Sequence, residues 1–281
     1  MPTVKELLAE GRARLAIAGV AAPALDARLL LQHAASLATA DLVAHPEMTV
    51  SAPAAVAFLT LLERRELREP VSKIIGIKEF FGREFEVSSA VLDPRPDSES
   101  LIELCLAIID THGARQVLDL GTGSGNLLLT LLAERRHLTG LGIDLSQDAL
   151  KVALRNAAAL GLSSRCDFMW GRWFEPVAER FDLIVSNPPY IETAAIDSLQ
   201  PEVRFFDPRK ALDGGLDGLD CYHAIAGEAA SFLAPDGHVA VEIGDGQDAA
   251  VTQLFNKSGF EFAGKRLDLS GKPRALAFRS I

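Results

Sequence analysis

The sequence predicts an α/β fold: a mostly parallel, seven-stranded sheet with helices on both faces, preceded by a small N-terminal helical domain and a β-hairpin connector. Three observations carry this reading. Residues 3 to about 70 show helical spacing and no strand signal. From Leu101 onward, short apolar runs alternate with amphipathic stretches, the pattern of repeated βα units. A glycine-rich turn at 121–125 joins an apolar run to an apolar helix, as at the ligand-binding turn of an open parallel sheet.

In the first domain, 1–70, Thr3 with Glu6 forms a capping box, and Val4, Leu7, Leu8 and Leu15 recur at helical spacing. Pro23 and Pro53 stand near the starts of further helices, because proline at the first turn loses no helical hydrogen bond. The connector, 71–95, is rich in large apolar residues (Ile74, Ile75, Phe80, Phe81, Phe85, Val87) broken by Gly76 and Gly82, which reads as a short hairpin. The third domain, 96–281, reads as helix 101–110, strand 116–120, helix 126–136, strand 140–144 and helix 147–160. Strands near 166–170, 181–186, 237–243, 257–263 and 274–279 complete the sheet.

Charge and cysteine content narrow the function classes. The net charge of −10 disfavours binding to duplex nucleic acid, and almost all of the excess acid lies beyond residue 70. Three scattered cysteines, Cys105, Cys166 and Cys221, fit no disulfide framework and point to a reducing, cytoplasmic setting. No secretory leader and no membrane-length apolar run is present, so no membrane partner is expected. His33 and His45 read as ordinary surface or core histidines, and Asp213–Asp220 as a glycine-rich surface loop without calcium-ligand spacing. No H-E-x-x-H or paired C-x-x-C pattern appears, so no metal is expected.

Two constellations carry chemistry. In Val117-Leu-Asp-Leu-Gly-Thr-Gly-Ser-Gly125, the residues Gly121, Thr122, Gly123, Ser124 and Gly125 let a ligand approach the backbone and a helix N-terminus. Asp144 ends the next strand, where a carboxylate can accept from both hydroxyls of a ribose. Read alone, this spacing also allows NAD, although Asn126 occupies the place of the third fingerprint glycine.

The second constellation is Asn187-Pro188-Pro189-Tyr190, at the end of the buried run from Phe181. Two prolines cannot continue a central strand, so a rigid loop projects from the strand's C-terminal end, where open α/β sheets bind ligands. The Asn187 side-chain oxygen and the Pro188 carbonyl can accept both hydrogens of a planar NH2 group, while the Tyr190 ring packs on its plane. Such an amide nitrogen is a poor nucleophile, and placing it correctly supplies roughly 7–11 kcal/mol of barrier reduction without a general base.

With these residues the chain resembles the class I S-adenosylmethionine-dependent methyltransferases, specifically the release factor glutamine methyltransferase (PrmC/HemK) family. The resemblance spans nearly the whole chain: Glu69–Gly76, Glu79–Gly82, Leu92–Glu99, the glycine loop, Asp144, Trp173-Phe174 and Ser186–Ile191. It implies a Rossmann-like methyltransferase domain and methyl transfer from S-adenosyl-L-methionine to N5 of the glutamine in the Gly-Gly-Gln motif of bacterial class 1 peptide chain release factors. S-adenosyl-L-homocysteine would be the second product. It further implies that Gly121–Gly125 hold the methionine part of the cofactor, Asp144 the ribose, and Trp173 and Asn187 the pocket wall. Asn187, Pro188, Pro189 and Tyr190 would bind the target glutamine, with Asn187, Pro188 and Tyr190 catalytic, and the helical domain would engage the release factor.

Arg172 departs from a family pattern of a small or acidic residue beside the tryptophan. Arg95 and Pro96 either close over the adenosine or form a structural elbow. The alternatives are a related methyltransferase acting on a ribosomal-protein glutamine or on adenine N6, and a non-catalytic docking module built on the same fold.

Overall fold

The computed structural model describes residues 1–280, which pack as two compact units. The first holds residues 1–77 and 200–206, the second residues 78–199 and those from 207 onward. The sequence reading closed the helical domain at 70 and set 71–95 apart as a connector. Ile74 instead packs in the helical core, which carries the first unit to Ile77.

Five helices open the first unit: α1 (Val4–Ile17), α2 (Pro23–Ala35), α3 (Thr39–Ala44), α4 (Ala52–Glu66) and α5 (Val71–Ile75). The expected capping box is present, with the Glu6 amide donating to Thr3 Oγ1 at 3.2 Å and the Thr3 amide to Glu6 Oε2 at 2.8 Å. Pro23 is the first residue of α2 and Pro53 the second of α4. Leu7, Leu15, Leu30, Leu31, Phe58 and Leu62 form the core. Gly11 lets α1 approach α4 closely, since a Cβ there would lie 2.8 Å from the Phe58 ring.

The hairpin of β1 (Ile77–Phe80) and β2 (Arg83–Glu86) follows, and the second unit begins within β1, at Lys78. The hairpin is shorter than the sequence reading placed it: 71–75 is helical, closed by Gly76 at φ +79°, and 87–95 is loop. There follow α6 (Glu99–His112), β3 (Gln116–Leu120), α7 (Asn126–Glu134), β4 (Thr139–Asp144), α8 (Gln147–Ala159), β5 (Cys166–Trp170) and β6 (Phe181–Ser186). After β6 the chain passes through α9 (Pro201–Arg204), which belongs to the first unit. It closes with α10 (Asp220–Phe232), β7 (Leu233–Glu242), α11 (Asp248–Lys257), β8 (Phe260–Leu267) and β9 (Pro273–Ser280).

The strand order is β5-β4-β3-β6-β7-β9-β8, parallel except where β9 pairs with β7 and β8. The sequence reading located all seven strands but started β7 four residues late and β8 three residues early, and it did not register α10 and α11. The cause at β8 is the end of α11: Val251, Leu254 and Phe255 bury one helix face, and Gly259 at φ +85° turns the chain before the strand can begin.

Alternate strand residues face opposite sides of the sheet, giving two cores. Val117, Leu183 and Val185 pack against α6 and α7, whereas Leu118, Leu120 and Ile184 pack against α10 and α11. Chain order reverses between β3 and β6, which opens a crevice beyond their C-terminal ends. The Ser186 hydroxyl ties the two ends together by donating to the Leu120 carbonyl at 2.7 Å.

Candidate active site

The crevice is a cavity of about 1070 Å³ at the ends of β3, β4 and β6. The glycine loop forms its floor. Gly121, Gly123 and Gly125 have φ of +72°, +56° and +79°, the left-handed region that favours glycine. Gly121 and Thr122 both donate their amides to the Ile143 carbonyl at 2.9 Å, which stitches the loop to β4. Gly125 caps α7, so the helix N-terminus opens toward the loop.

Asp144 stands at the end of β4. Its Oδ2 accepts from the Gly123 amide at 2.9 Å and its Oδ1 from the Ser146 amide at 2.8 Å. Ser146, not Asp144, caps α8. Burial raises the Asp144 carboxyl above its ordinary range, and the backbone amides oppose that shift.

Beneath the loop lies Asp119, which the sequence reading did not single out. It is completely buried, accepts from Thr122 Oγ1 at 2.7 Å, and leaves Oδ1 without a partner. Burial lifts it to about 7, close to neutrality. The signal in the sequence was an acid inside a buried strand run, at odds with its apolar neighbours.

Beside the glycine loop, on the neighbouring strand, Asn187 leaves the end of β6 and donates Nδ2 to Ser98 Oγ at 3.3 Å. Of the residues expected at the site, Gly121, Thr122, Gly123, Ser124 and Asp144 line the cavity, together with Trp173, Asn187 and Pro189. Gly125, Pro188 and Tyr190 are not in its wall. Pro188 is buried. Tyr190 supports the loop from behind: its hydroxyl donates to Glu242 Oε1 at 3.4 Å, and its carbonyl accepts from Gln247 Nε2 at 3.0 Å.

The glycine stretch after Asp213 is built against the same loop. The Gly214 amide donates to the Ile191 carbonyl at 2.8 Å, and a Cβ on Gly218 would come within 2.4 Å of the Tyr190 carbonyl oxygen. Trp173 both lines the cavity and packs on the core, at a left-handed φ of +48°. Arg172 beside it is exposed at the cavity edge. Arg95 also reaches the cavity, yet its guanidinium is tied to Asp207 at 2.7 Å, as an elbow requires.

Comparison with known proteins places this geometry. Residues 6–76 match the PrmC N-terminal domain and residues 96–207 the methyltransferase small domain. The chain is 48% identical over 273 residues to the release factor glutamine methyltransferase of Rhodospirillum rubrum, covering 97% of this chain and 84% of that one. It belongs to the release factor glutamine methyltransferase family. A second family member, from Agrobacterium fabrum, is 43% identical across 99% of this chain and 97% of its own. The fold is also that of a crystallised methyltransferase from Pyrococcus furiosus, with a TM-score of 0.50, 19% identity and coverage of 73% of this chain and 92% of that chain. The Rossmann-like sheet of the family is thus the scaffold that sets the glycine loop and Asn187 at neighbouring strand ends in the wall of one cavity. Among the described residues no helix is long and apolar enough to cross a membrane.

Proposed function

We propose that this protein transfers the methyl group of S-adenosyl-L-methionine to the side-chain amide nitrogen of a release-factor glutamine, the one in the Gly-Gly-Gln motif of class 1 factors. N5-methylglutamine and S-adenosyl-L-homocysteine are the products. The observation that carries the reading is one cavity lined together by the glycine loop, Asp144 and an asparagine whose amide already donates to Ser98.

The residues fit the cofactor. The volume of about 1070 Å³ is at the upper end for small-molecule sites, leaving room for a substrate side chain beside the cofactor. Gly121–Gly125 would hold the amino-acid part at the α7 N-terminus, Asp144 the ribose hydroxyls, and Trp173 an apolar wall. When bound, S-adenosylmethionine supplies an electrophilic methyl carbon on a positively charged sulfur.

The chain's own residues orient the acceptor. With Nδ2 engaged by Ser98, Asn187 keeps Oδ1 to accept one hydrogen of the glutamine NH2; the Pro188 carbonyl is the acceptor expected for the other, and Pro188 itself is buried outside the cavity wall, so only its backbone oxygen would take part. Pro189 and the Tyr190 backbone hold the turn rigid. Because orientation does the work, no general base is required. The helical domain engages the release factor.

Purified protein incubated with S-adenosylmethionine and unmethylated release factor, followed by peptide mass spectrometry, tests the proposal. A single added methyl on the Gly-Gly-Gln glutamine is expected. Intact cofactor binding with no methyl on that glutamine would overturn the substrate assignment in favour of a ribosomal protein or an adenine.

A further inference from the structure

We propose that Ser98 is a positioning residue for this reaction: held at the cavity by a strap moored at both ends, it accepts from the Asn187 amide and thereby presents Oδ1 of that amide to the substrate. The proposal rests on the glutamine methyltransferase reading above.

The strap is the segment 93–98, of which Asp93, Pro94, Arg95 and Ser98 line the cavity. Asp207 moors its first end: the buried carboxylate accepts from the Asp93 amide at 3.3 Å and from Arg95 Nη2 at 2.7 Å. Arg274 of β9 moors the other end, pairing through Nη2 with Asp97 at 3.3 Å. Arg274 is itself fixed, by Asp268 at 3.2 Å and by donating Nη1 to the Ile243 carbonyl at 3.1 Å.

Between the moorings the chain tightens into a 3₁₀ turn, Pro96–Ser98, in which the Ser98 amide donates to the Arg95 carbonyl at 3.1 Å. Pro96 fixes φ at the first position of this turn, and α6 begins directly after it. Ser98 is thus set in place, only 1% exposed, with Oγ 3.3 Å from Asn187 Nδ2.

The chemistry follows from the two ends of an amide, one of which only donates and the other only accepts. With Nδ2 against Ser98, the acceptor Oδ1 is left for the glutamine NH2. Without the hydroxyl, the broad torsion of an asparagine side chain lets either end turn toward the cavity. The reversed amide sets NH2 against NH2, and the glutamine nitrogen loses an acceptor that fixes its plane. Ser98 therefore acts on the substrate through Asn187.

The test is steady-state methylation of unmethylated release factor by the wild-type protein, Ser98→Ala, Asn187→Ala and the double variant. Cofactor affinity by calorimetry and the urea midpoint accompany each. Ser98→Ala should lower kcat/KM for the release factor about three- to tenfold, the worth of one neutral hydrogen bond, with cofactor affinity within about twofold of wild type. In the Asn187→Ala background the same change should have no further effect, because the group it acts through is gone. Asp97→Asn cuts the tie to Arg274 without altering the cavity wall and should lower kcat/KM about two- to threefold, again only where Asn187 is present. It carries the test if Ser98→Ala does not fold, and wild-type activity in it then overturns the proposal. Full activity in folded Ser98→Ala, a loss of cofactor affinity that matches its loss of kcat/KM, or equal losses with and without Asn187 likewise overturns it. Wild-type protein that binds cofactor but leaves the release factor unmodified overturns the functional reading itself, and with it the role of Ser98.

Discussion

Asn187 has two jobs for one amide: Nδ2 is committed to Ser98 at 3.3 Å, and Oδ1 remains for an acceptor-seeking ligand. Asn187→Ala removes the orienting oxygen but touches neither the glycine loop nor Asp144. Its kcat/KM for the release factor should fall about 100-fold or more, since orientation supplies most of the rate, while calorimetric cofactor affinity changes by no more than a few-fold. An equal loss of both in a folded variant would sink this division of labour. Asn187 stood out in the sequence because its neighbours were prolines at a strand end. Ser98 did not, because nothing in local sequence relates a residue 89 positions away to the same amide.

The loop after β6 holds its shape because a second loop is packed under it. Gly214 and Gly218 approach the Tyr190 backbone so closely that a side chain on either would displace it, and Gly218 also has φ +74°. Gly218→Ala combines a clash at 2.4 Å with a left-handed backbone. It should destabilise by roughly 1–3 kcal/mol, read as a lower urea midpoint, and lower methyl transfer more than the stability loss explains, because the Asn187 turn must shift. The stretch read from sequence as a surface loop is thus packed against the turn that carries Asn187 and Tyr190. The last two strands show a similar limit: β9 is placed by its pairing with β7, and β8 by its pairing with β9.

Buried and paired carboxyls give the whole molecule a predictable pH response. Burial tends to raise Glu202, but Arg68, its own backbone amide and Arg65 overcome this and hold it at about 2. Its pairing therefore stabilises fully above its ordinary value near 4.5 and is lost as pH falls toward about 2. Asp119 and Glu242 act in the opposite sense. Raised to about 7 by burial, they favour the fold below their ordinary values, and this advantage is lost as pH rises through about 7. The urea midpoint should accordingly be highest at about pH 4, around the ordinary carboxylate values, and decline on both sides. Asp119→Asn keeps an oxygen for the Thr122 hydroxyl and should flatten the decline between about pH 5 and about pH 8; an unchanged slope would count against the assignment. Within the first unit, Glu202 also anchors 200–206, with Arg65 at 2.9 Å and Arg68 at 2.7 Å.

By itself the sequence determined the α/β class, the order of the seven strands along the chain, the capping box at Thr3, and the turns at Gly121–Gly125 and Asn187–Tyr190 that leave the strand ends, of which Gly121, Thr122, Gly123, Ser124, Asn187 and Pro189 line the cavity. These are local statements: apolar period, glycine at left-handed positions and proline at a strand end all act within a few residues. Tertiary structure alone decided that 200–206 joins the helical unit, that Tyr190 faces Glu242, that Asp119 lies buried against Thr122 of the glycine loop, and that Ser98 accepts from the Asn187 amide. Each depends on which distant segments share a strand end or a buried volume. That is set by the order of strands across the sheet, which the order along the chain does not encode.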